Sequence, residues 1–250
     1  MNNQPKRHCI IVPVYNKPVL TKKCLDSLIN TTTPNRDMIA VIDDASNKST
    51  QTVLKKYLNL PRVKIFRNQK NQGKPKSVNA ILNKYKTYDY FTVIDNDVQL
   101  KTRDWISILL KAHKDWDNNA ILGGYTYMDG YKIMHKGKTY FDPWPFWNLA
   151  GCFFSIPKNI FETLGYFFDK SYRSEDADYC RRAYLAGFHW FYIPKIKATI
   201  TGYKKAVETN RLTKLDLREK KIRRAWADQA MRTHQVFYGP KSFVKLKTTW

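Results

Sequence analysis

The sequence predicts an α/β fold, a mostly parallel central sheet flanked by helices. Short β-branched runs such as Cys9-Ile10-Ile11-Val12-Pro13-Val14 lack alternation, as strands covered on both faces do. Segments with apolar residues at helical spacing follow them. Strand and helix then alternate in units of about 30 residues, the signature of right-handed crossover connections.

The first strand covers residues 9–14, and Asn16 is expected to cap the next helix, with Pro18 in its first turn. Val19, Leu20, Cys24, Leu25 and Leu28 form the apolar stripe of that helix. Residues 38–42 are a second strand ending in Asp43-Asp44-Ala45-Ser46, and residues 49–58 are helical. A third strand at 63–66 and a helix at 76–85 lead to the fourth strand, Tyr90-Phe91-Thr92-Val93-Ile94. Beyond Asp97 the pattern loosens. Residues 104–116 read as a helix, 120–124 as a strand, and 125–148 as an irregular stretch rich in aromatics, Gly and Pro. A strand at 151–156, helices at 158–164 and 175–187, and a strand at 190–193 complete the core. Residues 201–250 read as a basic, helical C-terminal extension with 13 Lys and Arg against 4 Asp and Glu.

At 250 residues the chain can bury one substantial core, and 14% aromatic content excludes a disordered basic tail. The net charge of +23 predicts attraction to a polyanion, whether nucleic acid, an anionic membrane face or nucleotide phosphates; lysine-rich composition is the plainer alternative. Cys9, Cys24, Cys152 and Cys180 are widely spaced, as free thiols in a reducing compartment would be. Residues 1–7 lack an apolar signal core, and no run reaches the roughly 18 apolar residues of a membrane span. The expected location is the cytoplasm, either as a phage protein in its host or peripheral on the inner membrane face.

Asp95-Asn96-Asp97 stands where the fourth strand ends. Two carboxylates one residue apart at a strand's carboxyl end suit Mg²⁺ or Mn²⁺ held jointly with a substrate phosphate. Three further segments accompany it: Val12-Pro13-Val14-Tyr15-Asn16, Val41-Ile42-Asp43-Asp44-Ala45-Ser46, and Ser174-Glu175-Asp176-Ala177-Asp178-Tyr179-Cys180-Arg181-Arg182. Asn71-Gln72-Gly73 with Asn79 adds a fifth. In this order and spacing, over roughly residues 8–200, the set resembles the family 2 glycosyltransferases. The resemblance implies a Rossmann-like GT-A domain over residues 1–200. Its nucleotide-sugar half would cover about 8–100 and its acceptor half 101–200, with the extension at 201–250.

Sugar transfer from a nucleotide diphosphate needs a slot for the base, neutralisation of the leaving diphosphate, and a base for the acceptor hydroxyl. Pro13 and Tyr15 close the first strand, where Tyr15 can stack on or border the nucleobase. The resemblance implies that Asp44 accepts from a base N–H. Lys74 and Lys76 can offset diphosphate charge or be solvated loop lysines. Asp97 is the first choice as metal ligand, with Asp95 the second candidate, at the ribose or at a metal-bound water, and Asn96 among the nucleotide-sugar contacts. In the pair Glu175-Asp176 one carboxylate makes the other a better proton acceptor. By resemblance Asp176 is the general base, Glu175 its neighbour, and the transfer inverting. Many family members also place a metal-binding histidine after the following strand. Here residues 194–203 contain none.

The expected cofactors are Mn²⁺ or Mg²⁺ and a nucleotide-diphosphate sugar, UDP-linked by family habit. Trp144, Phe146 and Trp147 are candidate acceptor-stacking residues, and Lys214, Arg218, Lys221 and Arg224 can share one helical face. These features point to a polyanionic acceptor, with hydroxylated bases in phage DNA as the first expectation. An envelope or capsule polysaccharide enzyme held at an anionic membrane surface is the main alternative, and an inactive nucleic-acid-binding module the third.

Overall fold

The computed structural model describes residues 6–32, 36–125, 131–143, 149–169 and 175–201. Strands β1 (His8–Val14), β2 (Asp37–Asp43), β3 (Val63–Arg67) and β4 (Tyr90–Ile94) are linked by helices α1 (Pro18–Thr31), α2 (Lys48–Lys55) and α3 (Lys74–Lys84). The short β5 (Val98–Leu100), α4 (Trp105–Asp115) and β6 (Ala120–Tyr125) follow. Then come β7 (Tyr131–His135), β8 (Lys138–Asp142), β9 (Phe153–Pro157), α5 (Lys158–Leu164), α6 (Glu175–Leu185) and β10 (His189–Ile200).

One sheet runs β3-β2-β1-β4-β9-β6-β10-β8-β7, so it crosses both expected halves without a break. The first four strands are parallel, β9 is antiparallel to β4 and β6, and β10 runs parallel to β6. Every residue of β1 is buried. Ile10, Val12 and Val14 face α1 and α4 with Leu25, Leu28, Trp105 and Leu109. Cys9 and Ile11 face the opposite layer of Val78, Ile81, Leu82, Phe161 and Tyr179. Burial on both faces is why the run shows no polar alternation.

Several local expectations are corrected. Asn16 does not cap α1: the N-cap position falls to Lys17, in a left-handed conformation. Asn16 instead accepts from the Asn47 amide through Oδ1. The stretch 125–148 contains a hairpin, β7 to β8, turning on Lys136 and Gly137, both at positive φ. Two successive positive φ values are what a tight hairpin turn demands. β10 extends well past the apolar run 190–193, because its register shifts between Ile193 and Lys197, around Pro194. Its far end leaves β6 and pairs antiparallel with β5. Proline fits a strand at such an irregularity.

A polar chain crosses the core. His8 Nε2 bonds Thr92 Oγ1 at 2.7 Å, Thr92 bonds Ser155 Oγ at 2.9 Å, and His113 Nε2 bonds Ser155 at 2.9 Å. All four residues are fully buried, and burial lowers the imidazoles to about 4 for His8 and about 3 for His113.

Candidate active site

The carboxyl ends of β1, β2 and β4 and the first turn of α6 meet at one rim of the sheet, held together by backbone-directed hydrogen bonds. The turn 95–97 after β4 is fixed when the Asp95 amide donates to the Cys152 carbonyl at 3.0 Å and Val98 N donates to the Asp95 carbonyl. The loop 71–73 is fixed by Asp44. Its Oδ1 accepts from Gln72 N and Asn68 Nδ2, and its Oδ2 accepts from Gly73 N, at 2.8 to 2.9 Å. Since α3 starts at the next residue, Asp44 determines where Lys74 is launched.

Lys74 is the centre of the site. Its ammonium lies 2.8 Å from Asp95 Oδ1 and 3.2 Å from Glu175 Oε1, and donates to the Gly151 carbonyl at 2.9 Å. The Gly151 amide donates to Asp176 Oδ2 at 2.9 Å. One glycine therefore holds the lysine with its C=O and a carboxylate of α6 with its N–H. A Cβ there would stand 3.1 Å from Asp176 Cβ and 3.2 Å from Lys74 Nζ. A second ion pair joins Lys17 Nζ to Asp97 Oδ2 at 2.9 Å.

Burial works to lower the Lys74 ammonium, but Asp95, Glu175 and Asp176 outweigh it and hold the lysine protonated. Burial raises the Asp95 carboxyl; Lys74 opposes that rise, and Asp97 and Glu175 add to it. The Cys152 thiol is pushed up to about 12, chiefly by burial and then by Asp95, so it remains a thiol.

The oxygen-only donors Asp95 and Asp97 suit Mg²⁺ or Mn²⁺. Asp95 Oδ1 is buried and lies 2.8 Å from the Lys74 ammonium, so this carboxylate oxygen already faces a cation. Among the described residues no group of three or more His, Cys, Asp or Glu could complete a shell. The remaining ligands would have to be water and phosphate oxygens, which is how such ions are commonly held at phosphate sites.

The glycosyl transferase family 2 model matches residues 9–184. The chain belongs to that family. This family 2 chain is 28% identical over 116 residues to a glycosyltransferase, GlyA, of Streptococcus pneumoniae; the match covers 46% of this chain and 16% of that one. It is 37% identical over 93 residues to a poly(ribitol-phosphate) beta-glucosyltransferase of Bacillus spizizenii, covering 35% of this chain and 14% of the relative. It thus spans a small part of the length of these relatives. Among solved structures, GalNAc-T7 with UDP, GalNAc and Mn²⁺ superposes with a TM-score of 0.67 at 16% identity, over 80% of this chain and 44% of that one. A mannosyltransferase from Pyrobaculum calidifontis with GDP-Man and Mn²⁺ gives 0.63 at 17% identity, over 79% and 57%. The expected GT-A fold is therefore the fold of this chain.

Of the residues singled out in the sequence, Asp95, Lys74, Glu175 and Asp176 come together through the contacts above, while Asp97, in the same turn as Asp95, pairs with Lys17. Tyr15 is 51% exposed just past the end of β1, two residues before Lys17. Lys76 is exposed in the first turn of α3. Pro13 is buried inside β1 in register with Ile42. Asn96 is also buried, and its amide donates to the Asn16 carbonyl and Thr21 Oγ1, bracing α1. Asp44 is buried, and both of its carboxylate oxygens are engaged by the loop 68–73. Trp144, Phe146, Trp147 and the extension beyond residue 201 lie outside the described residues. Sequence reasoning missed Lys17 and Gly151. Lys17 carries no motif, and Gly151 looked like the start of a strand. An open hollow of about 610 Å³ adjoins the Asp44 loop, lined by Arg67, Asn68, Gln69, Lys70 and Gln72.

Proposed function

We propose that this chain transfers a sugar from a nucleotide-diphosphate donor to a hydroxyl of a polyanionic acceptor, with inversion at the anomeric carbon. The observation that carries the reading is the single ammonium of Lys74 linking the acid of β4 to the acids of α6. Donor and acceptor chemistry would meet at that point.

The roles follow from position. Tyr15 and the hollow beside the Asp44 loop border the nucleobase, and Asp44 sets the loop instead of reading the base. Lys74, with Lys76 nearby, faces the diphosphate. Asp97 and Asp95 would hold Mn²⁺ or Mg²⁺, and when bound the ion supplies a Lewis acid for the departing diphosphate. Asp176 takes the proton of the acceptor hydroxyl as its oxygen bonds to the anomeric carbon and the bond to the diphosphate oxygen breaks. Each Asp176 oxygen already accepts a backbone N–H, from Gly151 and from Ala177, so the carboxylate is oriented before any acceptor arrives. A UDP-sugar is the favoured donor, since GalNAc-T7 was solved with UDP and TarS of S. aureus with UDP-GlcNAc.

The charge of +23 supports an anionic acceptor, and the name of the Bacillus spizizenii relative supports a polyol-phosphate chain. Hydroxylated DNA is the second reading, favoured by the basic segment 201–250. Trp144, Phe146 and Trp147 are the residues proposed to stack on the acceptor. Either acceptor is compatible with a cytoplasmic or inner-face location, and no helix among the described residues is long and apolar enough to cross a membrane. Thermal-shift screening of nucleoside diphosphates with and without Mn²⁺ identifies the donor. Labelled transfer to poly(ribitol phosphate), to duplex DNA carrying hydroxymethylated bases, and to neutral glycans then identifies the acceptor. Transfer to neutral glycans alone would refute the polyanion reading.

A further inference from the structure

Lys17 breaks two local rules at once. It and Asn16 adopt φ values of 59° and 57°, two successive non-glycine residues in the left-handed region. Each such residue costs on the order of 1 kcal/mol and persists only where its surroundings over-determine it. Lys17 also places a cation at the N-terminus of α1, where the helix dipole favours anions, and the first turn of that helix has no acidic residue.

The surroundings do over-determine this turn. Asn16 N donates to Ser46 Oγ at 2.9 Å, and Asn16 Oδ1 accepts from Asn47 N at 2.9 Å. The Asn16 carbonyl accepts from Thr21 Oγ1 and Asn96 Nδ2, while Thr21 N donates to the Lys17 carbonyl. Asn96 belongs to the same triplet as Asp97, so the turn that carries Lys17 is bolted directly to the one that carries Asp97. The outcome is an ammonium 2.9 Å from Asp97 Oδ2. The Lys17 side chain is 53% exposed and that of Asp97 18%, so the lysine reaches the carboxylate from the solvent side.

We propose that Lys17 is a tethered monovalent cation that competes with the divalent ion for Asp97. The free protein would then bind metal weakly, and loading would be coupled to arrival of the donor, whose diphosphate offers the displaced ammonium another anion. This inference rests on the reading of Asp97 as a metal ligand. The absence of a third acidic or imidazole ligand among the described residues sharpens the competition, because Asp97 has little help in outbidding the lysine.

The test is Mn²⁺ binding to the full chain without nucleotide, read from the free-ion electron paramagnetic resonance signal. Lys17→Gly suits the backbone, since glycine adopts positive φ freely, and should leave the melting temperature at or above wild type. It is expected to bind Mn²⁺ about three- to tenfold more tightly, the scale of a partly exposed ion pair plus one removed positive charge. Lys23→Ala removes the same charge from an exposed position on α1 and should change Mn²⁺ affinity less than about twofold. Saturating UDP should close the gap between Lys17→Gly and wild type. Equal tightening by both variants, no tightening by Lys17→Gly, or a gap that survives UDP would overturn the competition. Asp97→Asn separates the two levels. If it leaves Mn²⁺ binding intact, the assignment of Asp97 as ligand fails; if it abolishes binding while Lys17→Gly changes nothing, only the competition fails.

Discussion

Gly151 and Asp176 are joined by a 2.9 Å hydrogen bond from a backbone amide to a carboxylate, across a gap where a methyl group would stand 3.1 Å from the Asp176 Cβ. The same glycine accepts from Lys74, so its main chain sets the separation between the proposed proton acceptor and the proposed diphosphate contact.

Gly151→Ala should therefore fold yet transfer sugar poorly. The new Cβ would press on Asp176 and Lys74 and push them by a few tenths of an ångström, a fraction of the roughly 1 Å misplacement that costs about a hundredfold in rate. The expected result is a fall in kcat of about three- to tenfold, with the melting temperature within a few degrees of wild type. An unchanged kcat would show that the spacing across Gly151 does not matter.

Lys74→Met keeps the stem and removes the charge, leaving Asp95 and Glu175 facing one another without a counter-ion. Stability should drop by about 2 kcal/mol in urea melts, since stripping one partner from a partly buried pair strands the other charges. Binding of nucleoside diphosphate should weaken at the same time. A variant as stable as wild type would mean that the acids are relieved in some other way.

Asp176→Asn preserves shape and one backbone hydrogen bond but cannot take a proton. Donor binding by calorimetry should match wild type, while transfer falls by about 10² to 10⁴, the usual worth of a positioned general base. Asp97→Ala should reduce both. Normal turnover by the asparagine variant would move the base elsewhere.

Acid should unfold this protein early. His8 and His113 bind protons near 6.5 when unfolded but only near 4 and 3 when folded, because burial penalises their charged forms. Their contribution is complete above pH 6.5 and is lost as pH falls through 6.5 toward those folded values. Between pH 7 and 5 each imidazole should withdraw about 2 kcal/mol. Chemical denaturation across that range should show the slope, and His113→Gln should flatten it by about half.

Asp44→Asn replaces an acceptor that receives three hydrogen bonds with an amide that has one acceptor oxygen. Donor KM should rise several-fold, because the loop that launches Lys74 loosens. Were Asp44 a base reader instead, the variant would change the preference among UDP, GDP and CDP, which a competition assay resolves.

Much of this was legible in the residues alone. The parallel half of the sheet announces itself because strands buried on both faces must be apolar at successive positions, as Cys9–Val14 is. The carboxylates of 95–97 and 175–176 were visible because they occur in order with the other segments of the family pattern; each pair alone could be a solvated turn or an acidic first helical turn. The β7–β8 hairpin was missed, although Lys136-Gly137 was an available turn signal. Asp44 illustrates the opposite limit. Its chemical type and place could be read, but the partner of its carboxylate depends on a loop almost thirty residues away.

The chain by itself determined which groups would stand at the carboxyl rim, since strand order and helical spacing are local properties of the apolar pattern. Only the tertiary structure decided which cation faces which anion. Lys17 meets Asp97 across 80 residues, and Lys74 meets Glu175 across a longer stretch still. No periodicity encodes such pairings, because the distances between these charges are set by how the turns pack against one another.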